Sequence, residues 1–105
     1  MKKSVTIWNC KIPGEIITRP KILGTILVDK NYTREDVFNL CNWRNTSDKC
    51  PDELSNVDIS NAGVGMLIFM DNKYHLSLPI GWFEADAMNA ELEYAIYLLQ
   101  RDLLF

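Results

Sequence analysis

The chain reads most plainly between Val64 and Ile80. Two apolar or aromatic runs, Val64 to Met70 and Tyr74 to Ile80, flank the polar triplet Asp71-Asn72-Lys73. Residues of the Asn and Asp type accept the backbone twist of a tight turn, so this pattern predicts a β-hairpin. Alternation along its second arm places Tyr74, Leu76, Leu78 and Ile80 on one face and His75 with Ser77 on the other, which sets the single histidine near solvent. A hairpin is not stable alone, so the rest of the chain must supply further strands and a cover for its apolar face.

Those elements can be read on either side. Ser4 to Cys10 alternates as a strand, with Val5 and Ile7 opposed to Thr6 and Trp8, and fits an edge position. Pro13-Gly14 reads as a turn. Ile22 to Val28 is almost all apolar or β-branched, the pattern of a central strand buried on both faces, with Gly24 marking a bulge or close approach. Thr33, followed by Glu35 and Asp36, opens a helix that is expected to run to Arg44, with Val37, Leu40, Cys41 and Arg44 on one stripe. A polar stretch follows to Ala62, interrupted by a short strand at Val57 to Ser60. From Glu84 the pattern becomes helical, with Met88, Leu92, Ala95, Ile96, Leu99 and Leu103 as its apolar stripe.

The expected fold is α+β: one domain over residues 1–105, a small single-layer antiparallel or mixed sheet, and two helices on one face. The expected element order is ββα-loop-ββα. At 105 residues, 48% of them hydrophobic, the chain is long enough for one core and too short for two. No apolar run reaches the roughly 18 residues of a membrane span. Lys2 and Lys3 precede too short an apolar segment for a secretory leader, and three widely spaced cysteines, Cys10, Cys41 and Cys50, fit reduced thiols. A cytoplasmic location is expected.

Charge is split along the chain. Through Asn45 eight bases face four acids; from Thr46 onward three bases face ten acids. An acidic surface of this kind steers basic partners. The bases of the first half are scattered rather than aligned with stacking aromatics, so a nucleic-acid partner is not expected.

Catalytic patterns are weak. His75 could activate Cys41 or Cys50 as a thiolate, but no motif brings them together. Three cysteines and one histidine match a zinc ligand count without the close pairs that organise such a site. The acids between Asp48 and Asp58 lack the glycine-centred calcium-loop pattern. Glu91 and Glu93 diverge on a helix, and Gly63-Val64-Gly65 precedes a strand rather than opening a helix that could cradle phosphate. No catalytic, cofactor or metal-ligating set is expected.

Trp43, Trp82 and Phe83 carry the remaining signal. Tryptophan is enriched at interface hot spots, and Pro79-Ile80-Gly81-Trp82-Phe83 forms a rigid corner expected to expose a ring. The sequence therefore points first to a non-enzymatic protein-binding module, of inhibitor or immunity type, that meets a basic partner through Asp48, Asp52, Glu53 and Asp58 together with Trp43, Trp82 and Phe83. A small-molecule binder or small enzyme, with Cys50 and His75 in a sheet-helix pocket, is the second reading. A structural homodimer paired through Leu104 and Phe105 at the apolar C-terminus is the third.

Overall fold

The computed structural model describes residues 1–10, 19–45, 47–57 and 63–101. Five strands form one antiparallel sheet: β1 (Lys2–Asn9), β2 (Lys21–Asp29), β3 (Met66–Met70), β4 (Lys73–Ser77) and β5 (Trp82–Ala85), in the spatial order β2-β1-β3-β4-β5. Two helices, α1 (Arg34–Cys41) and α2 (Ala90–Gln100), complete the fold. Short 3-10 turns at Trp43–Asn45 and Asp52–Leu54 lie between α1 and β3.

The α+β class and the antiparallel sheet agree with the sequence. The element order is ββαβββα instead of ββα-loop-ββα. The helical pattern expected from Glu84 is a fifth strand as far as Ala85, where Phe83 and Ala85 turn inward, and α2 begins only at Ala90. Its start is fixed by the Asn89 side-chain oxygen, which accepts the Leu92 amide at 2.9 Å. α1 likewise stops at Cys41, short of Arg44, as the Asn42 amide bonds the Phe38 and Asn39 carbonyls and the chain tightens into a 3-10 turn.

The helices do not share a face. Directly opposed residues of paired strands lie on the same side of a sheet, and the register places Val5, Ile7, Ile26, Val28, Met66, Ile68 and Met70 together. These residues form one core with Val37 and Cys41 of α1 and with Leu54. Leu67, Leu76 and Ala85 point the other way, into a second core with Cys10 and with Leu92, Ala95, Ile96 and Leu99 of α2. A central strand buried on both sides, β3, is what makes two cores possible, and its residues 66–70 are all apolar. Each fully buried Leu or Ile contributes about 1.5–3 kcal/mol of transfer free energy. A two-sided sheet thus stabilises more chain than the one-sided layer expected.

Strand positions also differ. β1 is internal, paired with β2 and β3, and β2 is the edge, with Ile22 and Leu27 each 61% exposed. Both strands read as apolar because each turns one face toward the α1 core. The hairpin stands: Met70 pairs with Lys73, and Asp71 (φ 53°) and Asn72 (φ 63°) adopt the left-handed pair that a two-residue turn requires. β4 ends at Ser77, short of Ile80. His75 is 7% exposed, not near solvent, because β5 and α1 close over its face. The expected turn at Pro13-Gly14, the strand residues 58–60, and Leu103 lie outside the described residues.

Candidate functional site

α1 is locked at its first turn. The Asp36 amide donates to Thr33 Oγ1 (3.2 Å) and the Thr33 amide donates to Asp36 Oδ2 (2.9 Å), a reciprocal cap. This fixes Arg34, the first helical residue, over the outer strands. Its Nη1 donates to Glu84 Oε1 at 2.8 Å and lies 3.4 Å from His75 Nδ1, and its Nε donates to Glu35 Oε1 at 3.3 Å. The guanidinium also sits 5.3 Å from the centroid of Trp82, whose ring meets Phe38 edge-on at 5.8 Å. One arginine thereby ties α1 to β4 and β5 and sets the Trp82 ring.

His75 Nδ1 stands 3.5 Å from Glu84 Oε1. Burial holds the imidazole below its ordinary pKa; Arg34 acts in the same direction, while Glu84 opposes both. The neutral ring fits this position.

The connection from β4 to β5 is a four-residue loop, Leu78 to Gly81, closed by the Leu78 amide on the Gly81 carbonyl at 3.0 Å. Pro79 presets its own backbone, and Gly81 takes φ 77°, where a side chain would be strained. Ile80 is held at the apex, 91% exposed. Beside it opens a hollow of about 350 Å³ between α1 and the loop, with Phe38, Asn39, Leu78, Pro79 and Trp82 among its walls. A second hollow of about 410 Å³ continues along α1, sharing Phe38 and Asn39 and adding Asn42 and Asn45. Together they form an open groove, apolar at the Trp82 end and lined by amides at the other.

The residues singled out from the sequence are spread over the molecule. Asp48 and Asp52 are exposed and Glu53 is partly so; the Asp52–Leu54 turn packs against β2. Trp82 lies on β5, at the opposite edge, four interstrand steps or about 19 Å away. Phe83 faces the other side and packs with the α2 core. Trp43 is half-buried against the α1 core, with the Arg44 guanidinium 5.1 Å from its ring centroid. Asp58, Leu104 and Phe105 lie outside the described residues. Cys50 and His75 are not brought together: Cys50 is exposed, its sulfur directed at the Pro51 carbonyl, and His75 is buried beneath α1. Burial pushes the Cys10 and Cys41 thiols up to about 12, which leaves them protonated and inert.

On the other face a hollow of about 630 Å³ lies between α2 and the ends of β1 and β2, with Trp8, Arg19, Met88 and Tyr97 in its walls. It contains no cysteine or histidine. Among the described residues, no three His, Cys, Asp or Glu side chains stand close enough to hold a metal ion, and no helix is long and apolar enough to cross a membrane.

Arg34, Phe38, Ile80 and Glu84 were missed in the sequence as site residues. The contact between Arg34 and Glu84 spans fifty positions and depends on β5 being a strand. Trp82 to Ala85, four residues long, carries no local signal strong enough to show this. Comparison of the chain with protein-family models, with curated proteins and with solved structures returned no match.

Proposed function

We propose that the chain is a non-enzymatic protein-binding module and that its contact surface is the Leu78–Trp82 corner with the groove along α1. The exposure of Ile80 at 91%, on a loop stiffened by Pro79 and closed by the Leu78–Gly81 hydrogen bond, carries this reading. A large apolar side chain held rigidly in water beside a half-buried tryptophan loses little entropy on binding and buries apolar area, as an anchor residue does. An open groove, apolar at one end and amide-lined at the other, suits a protein segment better than an enclosed small ligand. Glu35 and Glu84 are exposed beside the corner, and Asp86 follows it, so the favoured partner brings basic groups around an apolar contact. An inhibitor or immunity-type role is the form of this function that the sequence favours.

A photo-reactive side chain placed at Ile80, and separately at exposed Tyr94 on α2 as a control, tests the surface in lysate from the source cells. One discrete cross-linked protein at position 80, absent at position 94 and lost when Trp82→Ala is added to a still-folded chain, is the expected result. The same products at both positions, or none at position 80, would discard the reading.

A further inference from the structure

The two edges of the sheet differ in kind. β5 is four residues long and carries the Glu84 carboxylate, both ordinary protections against strand addition. β2 is nine residues long, with no proline and no charge between Lys21 and Asp29. Among the described residues, the backbone groups of 21–28 make no hydrogen bond outside the β1 ladder. Ile22 and Leu27 are exposed along this edge on the face that α2 leaves uncovered. Such an edge is a template for another strand.

Charge decides which strand. Exposed Arg19 and Lys21 stand at one end of β2, and exposed Lys2 and Lys30 at the other; Asp29 is the acid among them, its Oδ1 already accepting the Asn31 amide at 3.0 Å. On the α1 side, the Asp52–Leu54 turn packs against β2 through buried Leu54. The edge is thus basic at both ends and uncharged at its centre. A second copy fits badly, because antiparallel pairing of β2 with itself offers Asp29 as the one acid against Lys21 and crowds Arg19, Lys2 and Lys30 together, unmatched, at each end.

We propose that the outer edge of β2 receives an extended peptide segment of a partner protein, with an uncharged, β-branched centre and acidic residues at both flanks. Pairing is regular over Thr25 to Asp29. It is limited toward Lys21 by the bulge, where Ile7 and Trp8 of β1 oppose Gly24 and Ile22 and leave Leu23 as the extra residue. The partner's apolar side chain lies beside Leu27, and its flanking carboxylates meet the lysines at the strand ends. This surface is separate from the Leu78–Trp82 corner and does not depend on it.

The probe is a blocked peptide of alternating Val and Thr with two Asp at each end, compared with the same peptide carrying Lys at the ends. Titrated into the ¹⁵N-labelled chain, the acidic peptide should shift the amides of 21–30, slow their hydrogen exchange and bind more weakly as salt rises. Lys21→Glu with Lys30→Glu should weaken it about tenfold, the order expected for two lost and reversed surface pairs, and Ile80→Asp should leave it unchanged. Equal binding of both peptides, shifts confined to 78–82, or no shift at all would overturn the proposal. So would a dimer, seen by sedimentation without peptide, in which the β2 amides are already protected.

Discussion

His75 is a titratable group enclosed by the fold. Arg34 of α1 and Glu84 of β5 face it, Trp82 covers its edge, and Lys73 shares its strand. Its folded pKa lies below the unfolded value of about 6.5, so between those two values the unfolded chain binds the extra proton. The protein should hold its full stability above pH 6.5 and lose part of it as pH falls through that window. Urea melts at pH 7.5 and pH 5.5 check this, with His75→Gln as the control: the difference between the two pH values should shrink in the variant. An unchanged difference would assign the acid sensitivity to the carboxylates. Arg34 is the residue to watch, because its Nη1 group contacts both ring and carboxylate, and protonated His75 would compete with it for Glu84.

Among the elements, β2 contains a position that only glycine fills without strain. Gly24 adopts φ +144°, and a Cβ built there would stand 2.8 Å from Val57 Cγ1. Gly24→Ala should cost about 1–3 kcal/mol in a denaturant melt, and adding Val57→Ala should recover the part due to contact while leaving the part due to backbone. Recovery of the whole loss would show that the backbone angle is unstrained.

The glycine was legible as a bulge, since an isolated Gly in an apolar run signals an irregular strand. The Thr33 cap and the Asp71-Asn72 turn were legible for a like reason: they depend on neighbours within four residues, whereas the Asn89 cap of α2 was not read. What was hidden depends on partners far along the chain. The alternation of β1 reads as an edge and the apolar run of β2 as a central strand, and only the pairing of β1 with β3 reverses the two. Trp82 to Ala85 is too short to distinguish a strand from a first helical turn until β4 pairs with it. The corner at Pro79 to Trp82 could be seen, but its groove could not, because Phe38 and Asn39 come from another element.

At the scale of the whole molecule, the two halves of the charge pattern become two places. Bases gather at the ends of β1 and β2 and acids at β5 and α2, with Asp52 and Glu53 the exception, on a turn packed against β2. The proposed contact surfaces divide along the same line, the corner favouring basic groups and the β2 edge acidic ones, so one small domain can hold two unlike partners at opposite edges of a single sheet. The connectivity across that sheet is equally divided. Residues 1–45 supply β1, β2 and α1, and residues 63–101 supply β3, β4, β5 and α2; the strands of the two sets meet only where β1 pairs with β3, from Thr6↔Phe69 to Asn9↔Met66. That seam is four residue pairs long, with the α1 core closing over it. A chain cut after Ser47 therefore yields two pieces, each with its own antiparallel pairings and neither able to bury its side of the seam alone. Expressed separately, they should reassemble on mixing into a species with the native melting profile, and Ile68→Asp should prevent it; pieces that fold independently and ignore each other would show that the seam is not what unites them. A domain joined in this way is a natural two-part reporter, silent until both parts are present.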